Sequence, residues 1–421
     1  MRFLLTTLLL LAAPAFAVTD VEFVRQTVAR IHPGLAHSCP PAEFDAALAA
    51  LPPGTGLSRD QAWRRWAAIN PLLADAHLFV GLPDWRGEAK AHLDAGGLLF
   101  PYEVRIGDDG RLFVQARLGG APSPHAGEEI TAVNGIPARR LVAESLQLAH
   151  GDSPQFRRHL LAQRWWLYHW KTQGADGRYR IALRRHGSLK MQALAGSSAV
   201  PRVLREEAGF DSLFSFRLAG DGAAVMKVGT FLSDDKERFV AWTRAAFQRM
   251  REAGTRTLII DVSANGGGDD VMWLEGLTPY LADKPFRTGS TYRKKDSATG
   301  RVEHGEITTW HHPQADNPLR FHGKTYVVIG PSTYSSAVLF ANVMQDFGFA
   351  TLAGTGGAAR TAQSGGVRRF DLPQSGLALY VPRFVLDRPA GAHGAAWLKP
   401  DITLPADGAV EALLRGLAPP R

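Results

Sequence analysis

The sequence predicts an α/β protein, and three observations carry that reading. Strand and helix patterns alternate from about Val200 onward, the signature of layered α/β cores. Two runs, Thr257 to Val262 and Thr325 to Gly330, are apolar enough to be buried parallel strands. Each leads into a turn of small residues and then into helical periodicity. The chain has 421 residues, 45% hydrophobic and 21% charged, a globular balance that excludes a disordered chain or a coiled coil. At roughly 100 to 200 residues per domain, that length accommodates several domains.

The first residues read as an export signal. Arg2 supplies the positive start, Phe3 to Ala13 the apolar stretch, and Ala15-Phe16-Ala17 the small-x-small cleavage site. We therefore expect a signal peptide over 1–17, a mature chain from Val18, and a periplasmic or secreted product. No later run approaches the ~20 apolar residues of a membrane span, so no stable span is expected after cleavage. The single cysteine, Cys39, excludes an internal disulfide and a multi-cysteine zinc site. Lys plus Arg is 48 against 40 Asp plus Glu, and this +8 is spread along the chain, which argues against a nucleic-acid partner.

From Val18 to Ala95 the pattern is helical. Val21, Val24, Val28 and Ile31 share a face; Phe44, Ala47, Leu48 and Leu51 share another; and Ser58 opens a third helix carrying Trp63, Trp66, Ile69 and Leu73. Its end delivers Asp75-Ala76-His77 into the apolar Leu78 to Val80. Residues 96–199 turn to strands. Leu98 to Ile106 and Leu112 to Leu118 flank the turn Gly107-Asp108-Asp109-Gly110, and the run from Ala126 to Pro137 contains an Asn134-Gly135 turn. Leu141 to Leu148 and the segment around Trp165, Trp166 and Trp170 read as helices, the tryptophans as packing surface. Tyr179 to Leu183 and Leu189 to Leu194 close the segment as strands.

In the region 200–421, Ala223 to Val228 is an expected strand and Asp234 to Ala253 a helix with Phe239, Trp242, Phe247 and Met250 on one face. Gly266-Gly267-Gly268 follows the first buried strand, where glycines let backbone amides approach a ligand or an oxyanion; a tight turn with no ligand is the alternative. Behind the second buried strand, Thr333-Tyr334-Ser335-Ser336-Ala337 precedes a helix from Val338 to Phe347. A serine there sits where free N–H groups and the helix dipole stabilise negative charge, which suits an acyl-transfer nucleophile, although a serine also simply caps helices. Ala350 to Gly354 is a further strand, and Phe370 to Gly376 with Leu377 to Val381 a hairpin-like pair.

Several of these pieces, in order, resemble the tail-specific or C-terminal processing serine peptidases. Asp75-Ala76-His77 looks like the family's Asp-Gly-His segment, the 126–137 run like its PDZ-like module, and Leu258 to Gly268 like its strand and triple-glycine loop. Thr333 to Ala337 resembles the nucleophile turn, Gly354 to Gly357 a glycine loop, and Pro400-Asp401-Ile402 the closing Pro-Asp-Ile. The resemblance implies a crotonase-like spiral of ββα units over 200–421, with a helical unit over 18–95 and a PDZ-like module over 96–199.

It also implies roles. Ser335 aligns with the nucleophile. Arg360 aligns with the family's lysine base, and a guanidinium does not deprotonate at any working pH. The histidine-base branch then makes His77 the base, since a neutral imidazole accepts the serine proton and returns it to the leaving amine. That branch orients its histidine through a serine and a glutamate. Neither is evident here: Ala76 stands where the serine would be, and Gly391 to Lys399 holds no carboxylate. Asp75, Asp387 and His393 are the candidate orienting groups. The backbone N–H of Ser336, with that of Gly266 or Gly267, is the expected oxyanion hole.

The expected function is hydrolysis of peptide or protein substrates with no metal or organic cofactor, the PDZ-like module presenting or gating the peptide. Two other readings stay open from sequence: a non-catalytic peptide- or lipid-binding protein on the same scaffold, and an esterase or amidase using the same serine. His304, His311 and His312 lack ligand-spaced partners and read as solvated loop. Asp269 and Asp270 read as a solvated helix start.

Overall fold

The two apolar runs form the middle of a six-stranded sheet. Its order is Ile402–Thr403, Thr351–Gly354, Lys324–Ile329, Thr257–Asp261, Ala223–Val228 and Phe214–Ala219. All neighbours are parallel except the last pair, which is an antiparallel hairpin. This computed structural model describes residues 18–417 apart from Asp176, Ala208, Ser233, Ser297, Ala392 and His393; the expected signal segment 1–17 lies outside them.

Period-two alternation sends the central strands into two cores. Leu258, Ile260, Val327 and Ile329 face helices Lys236–Glu252 and Ser336–Asp346, packing with Phe239, Phe247, Phe340 and Met344. Ile259, Val328 and Ala353 face helix Ala409–Leu417 through Val410 and Leu413. Burial on both faces explains why these strands are continuously apolar. It also rigidly fixes their C-terminal ends, from which the glycine loop and the serine turn emerge.

The N-terminal helices are Asp20–Ile31, Pro41–Ala49 and Arg59–Ala67, the last opened by a capping box between Ser58 and Gln61. The expected third helix does not run through to Leu73. Pro71 cannot supply the N–H that would continue it, so a separate short turn, Asn70–Leu73, begins there and ends at left-handed Ala74. Strand Phe79–Gly81 follows and pairs antiparallel with Ala378–Val381, which pairs with Arg368–Asp371. The second hairpin strand thus starts at Ala378, and Leu372 to Leu377 is its turn, closed by hydrogen bonds between those two residues' backbones and the Gly376 N–H.

Residues 96–199 form an antiparallel sheet ordered Tyr102–Ile106, Leu112–Arg117, Glu129–Val133, Arg178–Arg185 and Ser188–Ala195, flanked by helices Ala138–Leu146, Pro154–Gln163 and Trp165–Gln173. Its apolar face, with Trp165 and Trp166, shares one continuous core with the N-terminal helices and with Leu377, Leu379 and Val381. A fourth sheet, Val302–Glu306, Thr291–Lys295, Phe384–Leu386 and Gln363–Gly365, lies beside the serine turn. His304 sits on one of its strands, not in a loop, and the His311 ring stacks on Phe286 at 5.1 Å between centroids.

Candidate active site

The Asp75-Ala76-His77 segment is held from two sides. Asn70 bonds both the N–H and the carbonyl of Val80 at 3.0 Å, which pins the start of the strand after His77. Asp75, only 1% exposed, accepts the His77 backbone N–H at 2.7 Å, closing a tight turn. Ser364 Oγ donates to the same carboxylate oxygen at 2.9 Å and lies 3.0 Å from His77 Nδ1. With the hydroxyl proton committed to Asp75, Ser364 can only accept from Nδ1–H. The tautomer that follows leaves Nε2 free to take a proton. Burial pushes the imidazole down to about 4, with the Asp152 carboxylate and Ser364 pulling the other way, so the ring is neutral at neutral pH.

The Ser335 turn is strained. Ser335 has φ 53° and ψ −127°, a conformation that side-chain-bearing residues rarely adopt, at the junction of strand Lys324–Ile329 with helix Ser336–Asp346. Its side chain makes no helix-capping bond. The turn is braced by Thr333, whose hydroxyl donates to Val262 O at 2.8 Å, and by Tyr334 N–H on Asn265 O at 3.0 Å. Ser336 is different in kind: buried, its hydroxyl donates to Asp270 at 2.5 Å and accepts from Trp273 Nε1 at 3.0 Å. Asp270 is therefore not a solvated helix start. Asp269 caps that helix through the Val271 N–H, while Asp270 turns inward to hold the serine turn, its carboxyl raised by burial.

One strand links the two halves. Gln363 Oε1 accepts the Ser335 N–H at 2.9 Å, and the next residue is Ser364, which meets His77. The Tyr334 ring packs on the imidazole with centroids 4.9 Å apart. The structure thus brings together His77, Asp75 and the Ser335 turn. Asp387 is not part of this group: at the end of strand Phe384–Leu386 it accepts the Thr291 hydroxyl at 2.6 Å. His393 lies outside the described residues. Gly267 packs so closely that a Cβ there would fall 2.6 Å from Ser335 Cβ, and its N–H donates to Asn265 Oδ1 at 2.8 Å.

Three groups in this site escape a reading of the sequence. Ser364 and Gln363 precede Gly365-Gly366 and look like polar loop residues; their signal would have been burial, which sequence does not display. Asp152, in Gly151-Asp152-Ser153-Pro154, reads as part of a helix cap, and Ser153 does cap helix Pro154–Gln163. Yet Asp152 is buried and accepts Tyr334 Oη–H at 2.6 Å, Ala76 N–H at 3.1 Å and Arg360 N–H at 3.0 Å. Arg360 is a structural cation here, donating to Ala74 O at 2.5 Å and pairing with Asp152 at 3.6 Å. Burial raises both Asp75 and Asp152 above the usual carboxylate range. Among the described residues no cluster of His, Cys, Asp and Glu could hold a metal ion.

The chain was compared with known proteins. Residues 223–404 match the sequence model of peptidase family S41. Mature CPAF complexed with lactacystin superposes with a TM-score of 0.67 at 15% identity, covering 94% of this chain and 96% of that one. Mature CPAF alone gives 0.64 at 16% identity, over 93% and 94%. The photosystem II D1 C-terminal processing protease gives 0.48 at 16% identity, over 94% and 96%. No curated protein matches the sequence. At these identities the likeness to CPAF speaks for the fold alone, over nearly the whole chain. The sequence match covers the region that carries the glycine loop, the serine turn and Ser364, and residues 223–404 are similar in sequence to peptidase family S41.

Proposed function

We propose that the protein is an exported serine-type peptidase in which Ser335 is the nucleophile and His77 the general base. The observation that carries this is the pair of adjacent residues Gln363 and Ser364, one holding the Ser335 backbone and the other the His77 imidazole. In the first step Ser335 Oγ attacks a peptide carbonyl and its proton passes to His77 Nε2; the imidazolium then protonates the leaving amine, and water repeats the sequence on the acyl-enzyme. Ser364 and Asp75 keep the ring in the required tautomer. Asp75 Oδ1 accepts the Ser364 hydroxyl, which turns the Ser364 lone pairs toward Nδ1.

The oxyanion donors of this reading are the N–H groups of Ser336, at the helix start, and Gly266; the Gly267 N–H is already engaged by Asn265. The hairpin Phe214–Ala219 and Ala223–Val228 followed by helix Lys236–Glu252 supports a crotonase-like spiral of ββα units. The six-stranded sheet of 96–199, in which Ile136–Pro137 pairs with Glu129–Val133, is read as a PDZ-like module that presents peptide, and the 1–17 segment as the export signal. A fluorophosphonate probe tests the chemistry. The wild type should label, Ser335→Ala and His77→Ala should not, and Ser336→Ala should. A folded wild-type protein that never labels would overturn the reading.

A further inference from the structure

Asp152 lies outside the matched 223–404 segment, yet it is the point on which three parts of the site converge. It takes the Ala76 N–H next to His77, the Tyr334 hydroxyl next to Ser335, and the Arg360 N–H three residues before Gln363. Tyr334 Oη also accepts the Ala76 N–H at 3.2 Å, so base segment and nucleophile turn are joined directly as well as through the carboxylate. The segment that carries Asp152 is itself docked there. Ser153 Oγ donates to Ala358 O at 2.8 Å, the Phe156 ring packs on Tyr334 with centroids 5.0 Å apart, and Gln163 reaches Ser332 Oγ at 3.3 Å.

Resting on the serine-peptidase reading above, we propose that Asp152 is a positioning residue, which holds the His77 segment and the Ser335 turn in one frame and makes residues 150–163 an obligatory part of the catalytic apparatus. Two properties fit such a role and not mere space filling. The carboxylate satisfies donors from three separate segments while buried, which a neutral packing residue could not do. Its carboxyl group also lies close enough to the imidazole to favour the protonated ring when it is ionised. The other titratable or charged groups around that ring are Asp75, Tyr334, His150 and Arg360.

The test is the rate of fluorophosphonate labelling of the full-length protein as a function of probe concentration. Asp152→Asn keeps one acceptor oxygen but replaces the other with an amide N–H donor. It should label at least tenfold more slowly at neutral pH, with the loss in the maximal labelling rate and the probe concentration for half-maximal rate little changed. Its melting temperature should stay near that of the wild type. A folded Asp152→Asn that labels at the wild-type rate overturns the proposal, as does a slowed variant whose loss lies only in probe affinity, since that reduces Asp152 to shaping the binding surface. Tyr334→Phe keeps the ring and removes only the hydroxyl link, so it decides the matter if Asp152→Asn does not fold: slowed labelling supports the proposal and the wild-type rate defeats it. A wild type that never labels defeats the peptidase reading and this role with it, whereas a labelled wild type with an indifferent variant defeats this role alone.

Discussion

The backbone N–H of Ser335 donates to the side chain of Gln363 at 2.9 Å, so the strained residue is tied to a neighbouring strand. One peptide step further along that strand, Ser364 meets the imidazole. The separation of the Ser335 turn and the His77 ring is therefore governed by one short piece of backbone, buried at both residues. Replacing Ser364 by alanine removes the acceptor for Nδ1–H and leaves the strand in place. We expect kcat to fall with KM little changed, by less than the roughly 10⁴-fold lost when a direct carboxylate partner is removed from a serine triad. Steady-state kinetics on a cleaved peptide check this, and an unchanged kcat would remove Ser364 from the orienting chain.

Strain at Ser335 predicts a trade between stability and chemistry. A side chain at φ 53° costs on the order of 1 kcal/mol or more, and glycine relieves it. Ser335→Gly should thus be inactive yet melt higher than Ser335→Ala, which is inactive but keeps the strain. Calorimetry of the two variants decides: equal melting temperatures would mean the turn is not strained in solution.

Gly267 offers a test of the contact between the glycine loop and the serine turn. A methyl group there would lie 2.6 Å from Ser335 Cβ and 2.9 Å from Tyr334 O, at a φ of +102° that alanine tolerates poorly. Gly267→Ala should lower stability by about 1–3 kcal/mol and abolish labelling of Ser335. Urea unfolding and the fluorophosphonate probe read the two effects separately. Wild-type labelling in this variant would show that the loop and the turn do not touch as described.

Buried neutral histidines make the fold sensitive to acid. His32 accepts the Gly34 N–H on Nδ1, and burial lowers it to about 3 from the usual 6.5. The unfolded chain therefore takes up this proton first as pH falls below 6.5, and the stabilisation present at neutral pH drains away between about 6.5 and about 3. The slope from one such group is at most roughly 1.4 kcal/mol per pH unit. His37, His77, His150 and His159 are lowered in the same direction by burial. They are common to both proteins in a comparison of wild type with His32→Gln. The wild-type melting temperature should fall more steeply from pH 6.5 to 4; parallel curves would show that His32 does not titrate as its surroundings imply.

What could be read from the sequence follows a physical division. The strands Ala223–Val228 and Thr257–Asp261 were legible because two-sided burial leaves an apolar run, and the serine turn because a strand-to-helix junction has local punctuation. The Asp75-Ala76-His77 segment was legible as the end of the helical unit, whereas the base role given to His77 came from the family resemblance alone. Ser364, Gln363 and Asp152 were not, since their roles come from partners far away in the chain and their own neighbourhoods look like ordinary loops and caps. Asp270 was misread for the same reason: a carboxylate in a first helical turn looks solvated until the partner that buries it, Ser336, is known. The break before Asn70–Leu73 was open to prediction, because Pro71 stands in plain view.

His77 meets Ser364 across 287 positions, and Tyr334 meets Asp152 across 182. Contacts of such span close late, after local elements have formed. A chain still leaving the ribosome, not yet grown as far as Ser364, holds an imidazole with nothing to aim it. On the serine-peptidase reading proposed above, the growing polypeptide would be shielded from its own chemistry until Ser364 is in place.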